Sequence, residues 1–154
     1  MIAHWDGAFR PLPGEFGGPL RCEDLLDGDR ILTFPLEYRA RDGELFTICR
    51  RARINGASVP RLLWPLLGHP WSPPYGRAMA LHDDLYRWGG TTRKRADALF
   101  LEAMEACWAE YARTPGTKPS WWAHRVKEPA RRQALYRGVR VGGWVPWAAH
   151  RCRT

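Results

Sequence analysis

The chain has 154 residues, of which 45% are hydrophobic, and its 24 Lys and Arg outnumber 16 Asp and Glu to give a formal net charge of +8. This length predicts a single domain, residues 1–154, with one modest core. No run approaches the roughly 18 to 20 apolar residues that a membrane-spanning helix needs, and the N-terminus lacks the pattern of a Sec signal. These features exclude an integral membrane protein, and we expect a soluble one.

The first 28 residues are rich in Gly and Pro, which predicts turns and extended segments. A strand is predicted from Arg30 to Tyr38, with a break or an edge position at Pro35. Arg41-Asp42-Gly43 is typical of a hairpin turn. A second strand follows it, with alternating polar and apolar residues, and its continuation is predicted to reach Ile54.

Apolar residues recur at helical spacing in the second half of the chain. One helix is predicted from about Tyr75 to Trp88, and Gly89-Gly90 should end it. A second helix should begin at Thr91 or Thr92, whose hydroxyl can cap it, and continue to about Arg113. A third is predicted from about Trp121 to Val141, with Pro129 as an interruption.

The predicted fold class is therefore α+β. A small N-terminal antiparallel β-hairpin or sheet lies within residues 1–60, which are β-rich and irregular. An antiparallel helical hairpin plus a third helix occupies residues 75–143, and a tail rich in Trp and Arg covers residues 144–154. Cys22, Cys49, Cys107 and Cys152 have no C-x-x-C spacing, so we expect reduced structural thiols.

The excess of positive charge favours an anionic partner, such as nucleic acid, an acidic protein or an anionic lipid surface. No motif of a nucleic-acid-binding fold is present, and the scattered arginines are expected to form mainly a solvated face. Nine tryptophans are unusual for this length. Those at Trp144 and Trp147, close to basic residues, suit a lipid interface, base stacking, a partner protein or a Trp-rich core.

His82-Asp83-Asp84-Leu85-Tyr86 is the segment in which we expect chemistry, because it places an imidazole, carboxylates and a phenol on one apolar helix. Asp97 borders the apolar stripe of the second helix and needs a partner there, since a buried unpaired carboxylate costs several kcal/mol. A hairpin centred between Gly89 and Gly90 sets Asp97 level with His82. The sequence thus predicts a His82/Asp97 hydrogen bond, with Tyr86 nearby.

Four motifs in order resemble the DUF1353 family, a domain of unknown function common in tailed bacteriophages and prophages. The motifs are Gly56-Ala57-Ser58-Val59-Pro60-Arg61 with Trp64, His82-Asp83-x-Leu85-Tyr86, Arg95-Ala96-Asp97-x-x-Phe100 and Tyr136-x-x-Val139-Arg140-x-Gly142. Asn55 stands where the family usually has Asp. The resemblance implies a phage or prophage origin and singles out Asn55, Ser58, Arg61 and Tyr136 as motif positions.

His82-Asp83-x-x-Tyr86 facing Asp97 is also similar to the site of secretory calcium-dependent phospholipases. That likeness implies His82 as general base, Asp97 as the residue that holds the imidazole tautomer, Tyr86 as its brace and Asp83 as a ligand of calcium or another divalent metal. The flanking disulfides of that family are missing, and no clear Gly-rich calcium loop precedes the helix.

Three functions stay open from the sequence. In the first, His82, Asp97 and Tyr86 form a buried network in a non-catalytic phage protein that binds a host or virion protein. In the second, the chain is a phospholipase-like hydrolase. In the third, His69 joins His82, Asp83 and Asp97 in a metal-dependent phosphohydrolase. The expected location is the host cytoplasm or the virion, and the sequence does not indicate an oligomeric state.

Overall fold

The computed structural model describes residues 11–55, 71, 74–117 and 126–151. Strands occupy the first half of this part of the chain and helices the second, which confirms the α+β class. Among the described residues, no helix is both long enough and apolar enough to cross a bilayer.

Short antiparallel strands build two sheets within the described residues. The strands are β1 Glu15–Phe16, β2 Cys22–Asp24, β3 Arg30–Leu32, β4 Leu36–Arg39, β5 Leu45–Ile48 and β6 Arg53–Ile54. One sheet has the order β1-β4-β5 and the other has the order β2-β3-β6. The predicted break at Pro35 is confirmed: β3 ends before it and β4 begins after it, because proline cannot donate to a strand ladder.

The turn between β4 and β5 is the predicted hairpin turn. Ala40 N donates to Glu44 O at 2.8 Å, and Gly43 has φ +92°, a conformation that glycine adopts without steric cost. The predicted continuation of the second strand to Ile54 is wrong. Arg51 takes φ +69° and donates its N–H to Leu32 O at 2.8 Å, so the chain turns and β6 pairs with β3 in the other sheet.

The described helices are α1 Gly76–Trp88, α2 Arg93–Arg113, α3 Glu128–Gly142 and α4 Trp144–Arg151. The hydroxyl of Thr92 accepts the Arg95 N–H at 3.2 Å, which confirms the predicted cap of α2. Pro129 lies in the first turn of α3, where a missing N–H costs nothing. The fourth helix was not predicted; it follows α3 closely, and its Trp147 N–H donates to Gly143 O at 3.1 Å.

The core lies between the sheets and the α1/α2 hairpin. Tyr38 of β4 is fully buried, and its hydroxyl donates to Glu102 of α2 at 2.7 Å, which ties the sheet to the helices. Cys107 of α2 is buried in the same core, and burial raises the pKa of its thiol to about 11, so the thiol stays protonated. Cys22, Cys49 and Cys107 form no disulfide within the described part of the chain.

Candidate active site

The turn between α1 and α2 brings the candidate catalytic residues together. Gly89 and Gly90 have φ of +78° and +82°, which reverses the chain so that α2 runs back along α1. His82 Nε2 then lies 2.9 Å from Asp97 Oδ1, and both side chains are fully buried. The predicted His82/Asp97 pairing is therefore found in the structure.

Asp97 accepts hydrogen bonds from three side chains, which belong to two other helices, α1 and α3. The Tyr86 hydroxyl donates to Oδ1 at 2.6 Å, and Arg140 Nη1 of α3 donates to Oδ2 at 2.7 Å. Burial alone would raise the pKa of Asp97, but the hydrogen bonds from His82, Tyr86 and Arg140 outweigh burial and hold that pKa below its ordinary value. Asp97 is therefore an ionised carboxylate inside the protein.

The ionised state of Asp97 decides which nitrogen of His82 carries the proton. A carboxylate only accepts, so Nε2 must donate, and the neutral imidazole keeps a lone pair at Nδ1. That atom is buried and has no hydrogen-bond partner among the described residues. The rings of Tyr86 and Phe100 hold the imidazole, with centroids 4.2 Å and 4.6 Å away. The result is a fixed imidazole with an unused basic nitrogen.

Tyr86 also packs against α4. The ring of Trp147 from α4 contacts it edge-on, with centroids 5.0 Å apart. Burial and the nearby Asp97 carboxylate raise the pKa of Tyr86, so its hydroxyl stays protonated and donates to Asp97. An added Cβ at Gly143 would lie 2.5 Å from this hydroxyl and 2.4 Å from Val139 O, so only glycine fits between α3 and α4.

We expect the Gly143→Ala variant to lose about 1 to 3 kcal/mol of unfolding free energy, because the methyl group forces Tyr86 or the α3 backbone to move. Urea unfolding measures the change. Gly18→Ala is the matched control, since an added Cβ at Gly18 meets nothing within 4 Å. Equal stability of the two variants would contradict the close contact at Gly143.

Asp83, the predicted metal ligand, lies on α1 beside His82 and is nearly buried. Its Oδ2 accepts the N–H of Asn55 at 2.7 Å, which joins α1 to the end of β6. Within the described residues, no three His, Cys, Asp or Glu side chains lie close enough to hold a metal ion. The described residues therefore do not form a metal site around Asp83, and its metal role stays a prediction.

Asp84 is a half-buried carboxylate whose pKa is raised. Burial raises the pKa of its carboxyl to about 6, the Arg87 guanidinium opposes this, and the neighbouring Asp83 adds to it. Because this pKa is raised in the folded state, the ionised carboxylate of Asp84 destabilises the folded protein at neutral pH. The contribution of Asp84 to stability is therefore present below its ordinary pKa of 3.8 and is lost as the pH rises through about 6.

At pH 7 the Asp84→Asn variant is therefore expected to be more stable than the wild type, with an unfolding free energy higher by about 1 to 3 kcal/mol. One pKa unit corresponds to about 1.4 kcal/mol. The two proteins should converge near pH 4, where Asp84 is protonated in the folded state. Urea unfolding at both pH values measures this, and a stability difference independent of pH would contradict it.

Arg140 and Arg93 are the site residues that the sequence analysis missed, since it assigned the scattered arginines to a solvated face. Arg93 Nη1 lies 3.9 Å from Asp97 Oδ2 and donates to Arg140 O at 3.0 Å. The signal for Arg140 was its place in the Tyr136-x-x-Val139-Arg140 motif. Tyr136 itself is half-buried one turn earlier on α3. The predicted positions Ser58, Arg61 and His69 lie outside the described residues.

One protein family, described as "Protein of unknown function (DUF1353)", matches residues 31–116, more than half of the chain. The matched residues include His82, Asp83, Tyr86 and Asp97, whereas Arg140 lies beyond them. No curated protein and no solved structure matches the chain.

Proposed function

The chain belongs to the DUF1353 family of proteins of unknown function, and from the geometry of its buried cluster we propose that it is a hydrolase of esters. His82 is the general base in this proposal, Asp97 holds its imidazole, and Tyr86 and Arg140 position Asp97. The proposal follows the likeness of His82-Asp83-x-x-Tyr86 to the phospholipase site.

The proposed reaction is the attack of water on an ester carbonyl. Nδ1 of His82 takes one proton from the water as its oxygen forms a bond to the carbonyl carbon. The imidazolium then returns this proton to the leaving alkoxide when the carbon–oxygen bond of the ester breaks. The Asp97 carboxylate stabilises the imidazolium in between through the hydrogen bond at 2.9 Å.

The single observation that carries this proposal is the unpaired Nδ1 of His82. A buried acceptor without a donor costs about 1 to 3 kcal/mol, so a network built only for stability is expected to satisfy it. His82 leaves this nitrogen unpaired within the described residues, although its other nitrogen is held by Asp97. A general base requires this arrangement, because its lone pair must be available to the water.

The burial of the ring sets one requirement on the mechanism. Because the His82 side chain is fully buried, a water molecule must reach Nδ1 when the substrate is bound. Exclusion of bulk solvent strengthens the attraction between Asp97 and the imidazolium, since the interaction is screened less at low dielectric. The proton transfers of this reaction are made by His82, and the predicted calcium role of Asp83 is a separate part of the proposal.

The experiment is a hydrolysis assay on a panel of carboxylic esters and phospholipids, with calcium in one arm and a chelator in the other. The wild type is expected to release carboxylic acid from at least one ester class, and His82→Gln protein gives the background. The two metal arms test the predicted calcium role of Asp83 separately. Absence of hydrolysis on the whole panel, or equal hydrolysis by the His82→Gln variant, contradicts the proposal.

A second candidate function is a non-catalytic phage or prophage protein that binds a host or virion component. The observation that favours it is the complete burial of both His82 and Asp97, which suits a structural network. The phage origin comes from the family resemblance of the sequence motifs. In this proposal the cluster fixes the register of α1 against α2, and the basic surface makes the contact.

Particles purified from an induced lysogen that carries the gene test the second candidate. Quantitative mass spectrometry is expected to find the chain at a fixed ratio to the capsid protein, and high salt should release it if basic residues make the contact. A chain found only in the fraction without particles contradicts a virion role.

A further inference from the structure

The end of the helical bundle next to the His82/Asp97 cluster carries large exposed apolar side chains. Trp88 is 74% exposed and Val141 is 77% exposed, while Trp144 and Val145 are 62% and 56% exposed. We call these four residues the tryptophan end. Apolar side chains of this size that remain in water next to one another mark an interaction surface.

Contacts of the site itself place these four residues at one end. Trp88 closes α1 two residues after Tyr86, and the Tyr86 hydroxyl reaches the Gly143 backbone between α3 and α4. Val141 and Trp144 lie on either side of that glycine. Trp147, which packs on Tyr86, lies one turn after Trp144 on α4. The tryptophan end thus lies about 9 Å along α1 from His82, at 1.5 Å per residue.

The segments that carry the tryptophan end are rich in basic residues. Residues 85–96 and 129–154 contain ten Lys and Arg and no Asp or Glu, whereas the rest of the chain holds 14 Lys and Arg and all 16 carboxylates. Lys94 and Arg137 are exposed, and neither forms an ion pair with a described residue. Arg137 lies one turn before Val141, on the same face of α3. Arg93, Arg95 and Arg140 are paired with carboxylates, whereas Lys94 and Arg137 remain as basic groups for an anionic partner.

We propose that the tryptophan end docks on an anionic lipid surface, and that the esters of this lipid are the substrates of the proposed hydrolase. Indole rings prefer the boundary between headgroups and acyl chains, and each Lys or Arg near an anionic surface adds an attraction that salt screens. The claim about the substrate rests on the proposed function, whereas the docking rests on this surface alone.

Co-sedimentation with vesicles tests the docking. The wild type is expected to bind vesicles of phosphatidylglycerol and phosphatidylcholine, and to bind weakly to phosphatidylcholine alone or at high salt. The Trp88→Ala/Trp144→Ala variant should partition at least about tenfold more weakly, and Arg137→Gln about fivefold more weakly. Leu12→Ala/Leu26→Ala is the matched control, because these two exposed leucines lie in the N-terminal half and should not affect binding.

Release of fatty acid from the same vesicles separates the docking from the hydrolysis. Binding that depends on Trp88 and Trp144 without any hydrolysis supports the docking and overturns the claim about the substrate. Hydrolysis of a dispersed ester without vesicle binding overturns the docking and leaves the hydrolase. Equal vesicle binding by the double Trp variant, or binding of a DNA duplex in place of vesicles, also overturns the docking.

Discussion

The His82→Gln variant is expected to lower kcat/KM for ester hydrolysis by about 10² to 10⁴, the usual contribution of a general base. Glutamine can place an N–H near the position of Nε2, so the hydrogen bond to Asp97 Oδ1 is retained. It has no second nitrogen in the place of Nδ1, so it cannot take a proton from water. Steady-state kinetics measure the rate, and urea unfolding shows whether the variant is folded.

The stability of this variant distinguishes catalysis from a structural role. If His82 is a base, the unfolding free energy should fall by only about 1 kcal/mol while activity is lost. Tyr86→Phe is the matched variant: it removes the hydrogen bond at 2.6 Å to Asp97 and leaves both nitrogens of His82 in place. We expect it to retain a measurable rate. A Tyr86→Phe variant as inactive as His82→Gln would contradict the assignment of Nδ1 as the base.

Asp97→Ala is expected to lower the unfolding free energy by about 3 to 5 kcal/mol, the usual loss when one partner of a buried ion pair is removed. The change leaves three donors, on His82, Tyr86 and Arg140, without the acceptor that they share. Urea unfolding at pH 7 measures the loss.

The control for Asp97→Ala is Glu105→Ala on the same helix. Glu105 accepts from Arg41 at 2.8 Å, but both side chains are exposed, so we expect a loss of about 0 to 1 kcal/mol. Because the folded-state pKa of Asp97 is lowered, its stabilisation is present above its ordinary pKa of 3.8 and is lost as the pH falls through the folded value. The gap between wild type and Asp97→Ala should therefore narrow in acid, and equal losses in both variants would contradict the buried cluster.

Local sequence signals predicted the elements that hold the site. The helical hairpin was predicted from the apolar periodicity of α1 and α2, the Gly89-Gly90 pair and the Thr92 cap. Because the turn is centred between Gly89 and Gly90, Asp97 lies opposite His82 on the neighbouring helix. These features were predictable because each depends on residues close together in the sequence. The turn at Gly43 belongs to the same class, since positive φ favours glycine.

Contacts between distant segments were not predictable in this way. Arg140 lies 43 residues from Asp97, and its place in a family motif did not indicate which residue it would contact. β6 follows β5 directly, yet it pairs with β3 because Arg51 turns the chain. α4 was missed because its eight residues are too few for a clear helical period, and its packing on Tyr86 stabilises it.

The sequence by itself determined that His82 and Asp97 meet, because the spacing of both from one Gly-Gly turn is a local property of the chain. Only the tertiary structure decided the electrostatic state of this pair. Arg140 and Tyr86 hold Asp97 ionised, and this directs the proton of His82 to Nε2 and leaves Nδ1 as the basic nitrogen. That outcome depends on burial and on donors from separate helices, and these exist only once α3 has packed against the hairpin.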